Sequence, residues 1–565
     1  MAWNGQAPGQ GLSQRAKVQI LFATLLALFM FALDQTVVGV ALPQIITELQ
    51  GNELYTWSIT IYLLTSTISG PIYGKLSDLF GRRPIFIWAL GLFIVASVLA
   101  GLSQQMWQFI LFRGLQGLAG GAVFPLSFAV LADLYTPAER GKYSGYFGAV
   151  FGLSSILGPA IGGILTDTLS WHWIFFINVP IGLISLYVVF RLLPAIKHPE
   201  SGRNIDYVGA ALFTAAIGPF LVGLTNRQSA DWTDPWVGGL MLVGLVFGLV
   251  FLWWERRAPE PIIPLGLFRN RTFTISVTAM FLAAFGFFSA VVFLPRWFQV
   301  VAGASATESG YQLLPLLGAL IVSATISGQI VARTSRYKLL IFASLVTLAV
   351  GLFLLTNLHA DTDRPVLWFW MILAGLGIGP SFAVFALIGQ NSVAMHEVGT
   401  ASSSLTFFQQ IGGTVGLTLA GTIFASRLTE EIPLQLVKAG VPPQFVEQFE
   451  QQGAGGGALD LTGTGNLGER ILAAVPPQFQ AIVEPLLANI VAGIHEAFSV
   501  AIGSMMWIGI GGAIVAAIAV LFLKETPLRS TWEMPPEGAP GSAADEPPTP
   551  AAADMPPGEK QGSPA

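Results

Sequence analysis

Fourteen long apolar runs, separated by short polar segments, extend along the chain from residue 18 to residue 523. Each run is close to or above the roughly 20 residues that an α-helix needs to cross a bilayer. A segment in lipid must pair its backbone polar groups internally, so the runs are predicted to be helices. The predicted spans are 18–42, 55–76, 85–103, 107–131, 143–166, 173–195, 207–226, 236–254, 272–300, 310–333, 338–357, 366–390, 400–426 and 498–523.

The positions of lysine and arginine support this count. When the N-terminus is placed in the cytoplasm and the spans alternate, seven segments on the cytoplasmic side hold 19 of the 27 Lys and Arg residues. Cytoplasmic loops of membrane proteins carry this excess of positive charge. The pattern predicts an all-α, multi-pass protein of the cell (cytoplasmic) membrane, with the N- and C-termini both cytoplasmic.

The composition agrees with a chain that lies mostly in lipid. Hydrophobic residues make up 53% of the chain and charged residues 10%, against roughly 25% charged residues in a soluble protein. The first run continues past Asp34 to Leu42 and Pro43, so we expect a spanning helix rather than a cleaved signal peptide. The absence of cysteine excludes disulfides, iron–sulfur clusters and thiolate zinc sites.

Three regions are predicted to lie outside the lipid. Residues 1–17 form a cytoplasmic N-terminus. Residues 428–496 are expected to form an external helical hairpin, in which the sequence Val-Pro-Pro-Gln-Phe occurs at 441–445 and again at 475–479. Residues 524–565 are rich in proline, alanine, glycine and acids, and are predicted to be a disordered cytoplasmic tail.

A charged, glycine-containing loop follows the second run. Its functional candidates are Gly74, Lys75, Asp78, Gly81, Arg82 and Arg83. Taken singly, the cations could be positive-inside anchors. The whole string is more specific, because an acid among three cations in so short a turn favours a conformational role.

Apart from the cations at the cytoplasmic ends of the spans, three charged residues fall inside predicted spans. Asp34 lies some 25 Å along the first helix from Lys17 at a rise of about 1.5 Å per residue, so it is expected deep in the membrane. A carboxylate there must pair, face water or bind a proton; the structural alternative is an acid satisfied by Thr36. Arg113 is either the partner of Asp34 or an arginine that extends to the outer interface. Arg296 is either an interfacial arginine beside Trp297 or a lateral site for an acidic or amphiphilic head group.

The loop 74–84 resembles the signature loop of the major facilitator superfamily. With the segments 33–43, 113–122, 158–163 and 171–180, it is similar to the fourteen-helix drug:proton antiporters of that superfamily. This resemblance implies six-helix bundles at 18–195 and 272–523, joined by a linker, 196–271, that carries two inserted spanning helices. Ser154, Gly39 and His172 depart from the residues usual in that family.

The resemblance also implies roles for individual residues. Asp34 and Arg113 would form a proton relay, and the loop 74–84 would lock the inner gate. Gly158, Pro159, Gly162 and Gly163 correspond to the antiporter signature that seals the two bundles. The predicted substrate-cavity residues are Gln35, Gln116, Arg296, Gln299 and Gln390.

The predicted function is proton-driven export of lipophilic, often cationic drugs by a monomer. The alternative is export of neutral lipids such as triacylglycerol, because the hairpin resembles that of mycobacterial facilitators that work with a lipoprotein partner. No Gly-Lys-Ser/Thr phosphate loop occurs, so ATP is not expected to drive transport. The proton gradient is the expected energy source, and no cofactor is predicted. The five scattered histidines argue against a metal site, and no nucleic-acid partner is expected. A membrane-embedded lipid enzyme or a sensor is a less favoured reading, since no acids or histidines cluster at one interface.

Overall fold

The structure is a computed structural model. It describes residues 11–49, 55–194, 205–227, 230–394, 397–444, 446, 468, 471–472 and 483–528. About half of the predicted hairpin, and the chain from residue 529 onward, lie outside the described residues.

Each of the fourteen predicted runs forms a helix in the described part of the chain. The helices are α1 (Gln14–Leu49), α2 (Tyr55–Phe80), α3 (Arg82–Gly101), α4 (Met106–Leu134), α5 (Pro137–Thr168), α6 (Trp173–Leu192, interrupted at Ile177), α7 (Tyr207–Asn226), α8 (Pro235–Glu255), α9 (Arg271–Val300), α10 (Leu314–Thr334), α11 (Lys338–Leu355), α12 (Arg364–Asn391), α13 (Val398–Lys438) and α14 (Leu487–Leu521). The all-α fold predicted from the sequence is confirmed.

Thirteen of these helices, counted over the described residues, are long and apolar enough to cross a membrane. The exception is α2, in which threonine, serine and tyrosine interrupt the apolar residues. Several of these hydroxyls donate to carbonyls of their own helix, as Thr65 Oγ1 does to Ile61 O at 2.8 Å. A hydroxyl that is satisfied in this way can lie in lipid, so the lower hydropathy of α2 does not prevent it from spanning.

Several helices extend further than their apolar runs predicted. Helix α1 continues to Leu49, and α13 continues to Lys438. An apolar run marks only the part of a helix in lipid, and the backbone hydrogen bonds continue beyond it. The 41 residues of α13 span about 60 Å at a 1.5 Å rise, twice the ~30 Å hydrocarbon core, so α13 projects beyond the membrane.

The first and last six helices each pack around their own buried clusters. Between the two groups, α2 packs against α13 and α5 packs against α10. The inserted helices α7 and α8 pack on each other, and α7 also contacts α2 and α13. The bundle boundaries at residues 195 and 271 remain predictions.

Candidate proton-coupling site and gate

Asp34 lies near the middle of α1 with its carboxylate fully buried. Arg113 of α4 pairs with it, at 2.5 Å between Nη1 and Oδ2. The other oxygen, Oδ1, accepts from Gln116 Nε2 at 2.8 Å and from Asn178 Nδ2 at 3.1 Å. A buried charge is tolerated when it is both paired and hydrogen-bonded, and Asp34 satisfies both conditions.

A second layer of hydrogen bonds holds these partners in place. Ser97 Oγ of α3 accepts from Gln116 Nε2 at 2.7 Å and from Asn178 Nδ2 at 2.9 Å. Gln116 Oε1 in turn accepts from Arg113 Nη1 at 2.7 Å. The network therefore joins α1, α3, α4 and α6, and a change in charge at Asp34 affects four helices at once.

The surroundings of Arg113 are apolar and aromatic. Its guanidinium lies 4.1 Å from the ring centre of Tyr62 and 6.0 Å from that of Phe175. The face of an aromatic ring stabilises a cation without neutralising it. Arg113 Nε and Asn178 Oδ1 are buried and make no hydrogen bond to the described residues, so the site has polar capacity beyond that used by Asp34.

The two structural alternatives considered for these residues find no support in the geometry. Thr36 Oγ1 donates to the carbonyls of Leu33 at 2.9 Å and Ser154 at 3.1 Å, and the hydrogen bonds of Asp34 come from other residues. The Arg113 side chain is 3% exposed and turned towards Asp34, which is not the position of an interfacial arginine.

Sequence reasoning missed Asn178, Ser97 and Tyr62 as members of this network. Asn178 is the first residue after the interruption of α6, and this position lets its amide reach Asp34. An asparagine inside an apolar run, two residues before Pro180, is a signal that could have indicated it. Ser97 gives no such signal, because single serines are frequent in spanning helices.

The α1–α5 contact depends on glycine. A Cβ at Gly158 would collide with Thr36, and one at Gly162 would lie 3.1 Å from the carbonyl oxygen of Val37. Gly163 has open space at the same position. Pro159 lies inside α5 between these contacts. Gly158 and Gly162 therefore set the distance between α1 and α5, while Gly163 does not.

We expect Gly158→Ala to destabilise the protein by about 1–3 kcal/mol, the usual cost of overpacking a tight contact. Gly163→Ala is the matched control and should be neutral or slightly stabilising, because alanine favours the helix. Thermal unfolding of the purified variants in detergent measures both. Equal melting temperatures for the two variants would contradict the assignment of the α1–α5 contact to Gly158.

The predicted gate centres on Asp78, near the end of α2. Asp78 Oδ2 accepts from the Thr400 amide and from Thr400 Oγ1, both at 2.6 Å, and Oδ1 accepts from the Gly399 amide at 3.1 Å. These amides belong to the first turn of α13. A carboxylate at a helix N-terminus satisfies unpaired amides and the helix dipole, so Asp78 fastens α2 to α13.

Arg82 completes this contact from the start of α3. Its Nη1 pairs with Asp78 and donates to Ser77 Oγ at 2.7 Å, and its Nε lies 3.3 Å from Asp133 Oδ2. Gly81, between α2 and α3, has a φ of +89°, in the region that favours glycine. A Cβ at Gly74 would collide with Ser403. Both glycines are therefore required by geometry at this end of the molecule. We call the surface formed by residues 74–82, which packs on residues 399–403 of α13, the α2–α3 face.

The other two cations of the loop point elsewhere. Lys75 Nζ pairs with Glu260 Oε2 at 2.8 Å, in the segment after α8. Arg83 Nη2 donates to the Phe190 carbonyl at 2.5 Å, near the end of α6. The charged residues predicted to form one lock are thus directed to three places. Asp78 and Arg82 lie at the start of α13, Lys75 binds Glu260, and Arg83 binds the Phe190 carbonyl.

The five predicted cavity residues have different surroundings, and their role in substrate binding stays a prediction. Gln116 is fully buried in the Asp34 network, and Gln390 is 5% exposed and donates to Ser402 Oγ at 3.1 Å. Gln299 Nε2 donates to Ser309 Oγ at 2.8 Å, while Gln35 and Arg296 are exposed on α1 and α9.

A polar contact between the two groups of helices went unpredicted. Thr67 of α2 donates to Gln410 Oε1 of α13 at 3.2 Å.

Comparison with known proteins agrees with the all-α membrane fold. The sequence profile described as Major Facilitator Superfamily matches residues 24–417. Two Bacillus subtilis (strain 168) proteins are each 34% identical: Multidrug transporter protein MdtP, over 90% of this chain and 94% of its own length, and Multidrug resistance protein 3, over 91% and 96%. The proton:xylose symporter XylE shares the fold, with a TM-score of 0.57 at 14% identity over 92% of this chain and 99% of its own. The chain is therefore a polytopic membrane transporter that belongs to the major facilitator superfamily.

Proposed function

We propose that this protein exports lipophilic, cationic compounds across the cell membrane in exchange for protons. The observation that carries the proposal is Asp34, a fully buried carboxylate paired with Arg113. Charged groups inside membrane helices are costly and mark ion pathways. The names of the two Bacillus relatives point to drugs as substrates.

The ion pair gives Asp34 two states with different contacts. When ionised, Asp34 holds Arg113, Gln116 and Asn178 together. When protonated, it no longer neutralises Arg113, and the attraction between α1 and α4 weakens. A proton that binds from outside and leaves to the cytoplasm would therefore shift the packing of α1 against α4, in an alternating-access cycle about the two helix groups.

The α2–α3 face would be the inner gate, closed by Asp78 on α13. We place it in the cytoplasm, with both termini, because lysine and arginine concentrate in the segments on that side. The driving force is then the proton gradient. One charge that crosses 100 mV supplies about 2.3 kcal/mol, which is comparable with the cost of weakening one buried pair.

Export of neutral lipid is the second candidate. The outer parts of α13 and α14 pack through a separate apolar cluster that includes Ile432, Leu436 and Ile494, while Leu434 and Val437 are exposed. This cluster lies beyond the length of α13 that the bilayer requires. An elevated apolar surface of this kind could pass a lipid outward, to a lipoprotein or another periplasmic partner.

Substrate-stimulated proton flux in proteoliposomes tests both candidates. A pH-sensitive dye is trapped inside, and either a cationic dye or a fluorescent neutral lipid is added. A proton gradient is imposed across the membrane. We expect the cationic dye to move in the direction opposite to the protons and to stimulate the flow of protons down their gradient. Dye transport that leaves the internal pH unchanged would rule out antiport, and lipid movement without any dye response would establish the lipid alternative.

A further inference from the structure

The segment that follows α8 turns back and packs against both groups of helices. Ile262 and Ile263 are 3% and 5% exposed, in a cluster with Ile68 of α2 and Phe407 of α13. Phe213 of α7 lies in the same cluster, with its ring centre 5.1 Å from that of Phe407. The inserted helices and the linker behind them thus cover the seam at which α2 meets α13.

The turn of this linker is held by buried polar contacts. Glu255, the last residue of α8, is 3% exposed, and its Oε1 accepts from the Ile262 amide at 3.2 Å. The neighbouring Trp254 Nε1 donates to Asp206 Oδ1 at 2.9 Å, and Asp206 caps the start of α7. The linker is therefore attached to the end of α8, and α8 is in turn attached to the start of α7.

One ion pair attaches this linker to the gate. Glu260 Oε2 lies 2.8 Å from Lys75 Nζ, and the two side chains are 12% and 16% exposed. Salt screens partly buried pairs less than exposed ones. Lys75 directly follows Gly74, which packs on Ser403, and lies one helical turn before Asp78, which caps α13. The pair thus acts on the turn of α2 that closes the α2–α3 face.

We propose that the inserted pair α7–α8 and residues 255–263 form a clasp across the α2–α13 seam, with Glu260 as the positioning residue that holds Lys75. Separation of α2 from α13 breaks either the Lys75–Glu260 pair or the contacts of Ile262 and Ile263 with Phe407. The clasp therefore favours the closed α2–α3 face. It rests on the proposed function only in that this face opens during transport.

The absence of cysteine makes a direct test possible. Ser403 is 1% exposed on α13 against Gly74, so Ser403→Cys provides a single thiol that reacts when α2 leaves α13. Its alkylation rate by a maleimide is measured in proteoliposomes without substrate. Against this background, Glu260→Gln should raise the rate roughly threefold to tenfold, as expected for the loss of a charge-assisted pair. Asp78→Ala, which removes the cap of α13, should raise it further.

Two further variants separate the clasp from a general loss of stability. Glu308→Gln removes the acid of a half-exposed surface pair with Arg364, 3.7 Å apart, and should leave the rate unchanged. The exchanged double variant, Lys75→Glu with Glu260→Lys, should return the rate towards that of the Ser403→Cys parent. An unchanged rate in Glu260→Gln, with a raised rate in Asp78→Ala, would overturn the clasp. Because thiol access is measured rather than transport, failure of proton coupling would not imitate that result.

Discussion

An Asp34→Asn variant should lose substrate-stimulated proton flux to the background of protein-free liposomes. Asparagine has the same shape and can still accept hydrogen bonds from Gln116 and Asn178, but it cannot bind and release a proton. The variant therefore has no group at this position that can carry the proton. The hydrogen bonds of Ser97 with Gln116 and Asn178 still hold α3, α4 and α6 together. The assay is proton flux in proteoliposomes in the presence of a cationic dye.

The matched control is Glu430→Gln, which neutralises a surface acid whose side chain is 60% exposed and pairs with Arg427. It should transport like the unmodified protein. Retention of dye-driven proton flux by Asp34→Asn would move the coupling site away from α1. Binding of the dye should persist in Asp34→Asn, because loss of coupling and loss of binding are separate effects.

Arg113→Met should lower the free energy of unfolding by about 3–5 kcal/mol, the usual cost of removing one partner from a buried ion pair. Methionine fills similar space but leaves the Asp34 carboxylate with amide donors alone. Thermal unfolding in detergent measures the loss.

The double variant Asp34→Asn with Arg113→Met should be more stable than Arg113→Met alone, since neither buried charge then remains. This non-additivity is the signature of direct coupling. If the two single losses simply add in the double variant, the pair does not contribute to stability as the 2.5 Å contact suggests.

The sequence was most informative where charge meets lipid. Asp34 and Arg113 were identified because an ionisable side chain in an apolar run needs an explanation. Asn178 and Ser97, which complete the same network, are uncharged, and their residue types are common in spanning helices. Their roles depend on how α3 and α6 pack around α1, which no local pattern encodes.

The predicted gate also depends on contacts between residues that are far apart in the chain. The loop 74–84 stands out in the sequence, and the structure places Asp78 against the first turn of α13, but the cations of the loop were predicted to act together. Lys75 and Glu260 are 185 residues apart in the chain, so their pairing follows from the position of the inserted helices. The predicted cavity residues were chosen by side-chain type alone, and the structure engages Gln116, Gln299 and Gln390 in contacts of their own.

The glycines of α5 show that the sequence does not reveal which side of a helix faces its neighbour. Gly158, Gly162 and Gly163 are equivalent in sequence, yet the angle at which α1 crosses α5 decides which of them are required. A rotation of α5 by about 100°, one residue of an α-helix, would exchange their roles. Hydropathy patterns do not determine the rotation of a spanning helix about its axis to within one residue.

The hydroxyl-rich composition of α2 bears on how the protein is made. A nascent segment partitions into the bilayer according to its own hydropathy, and α2 is the weakest of the fourteen described helices in this respect. Its tight packing on α4, where Gly117 and Gly121 approach Tyr62 and Ser66, is available only after about 50 further residues have been synthesised. We therefore expect the helix that carries Asp78 to reach its final depth only after α4 has been synthesised.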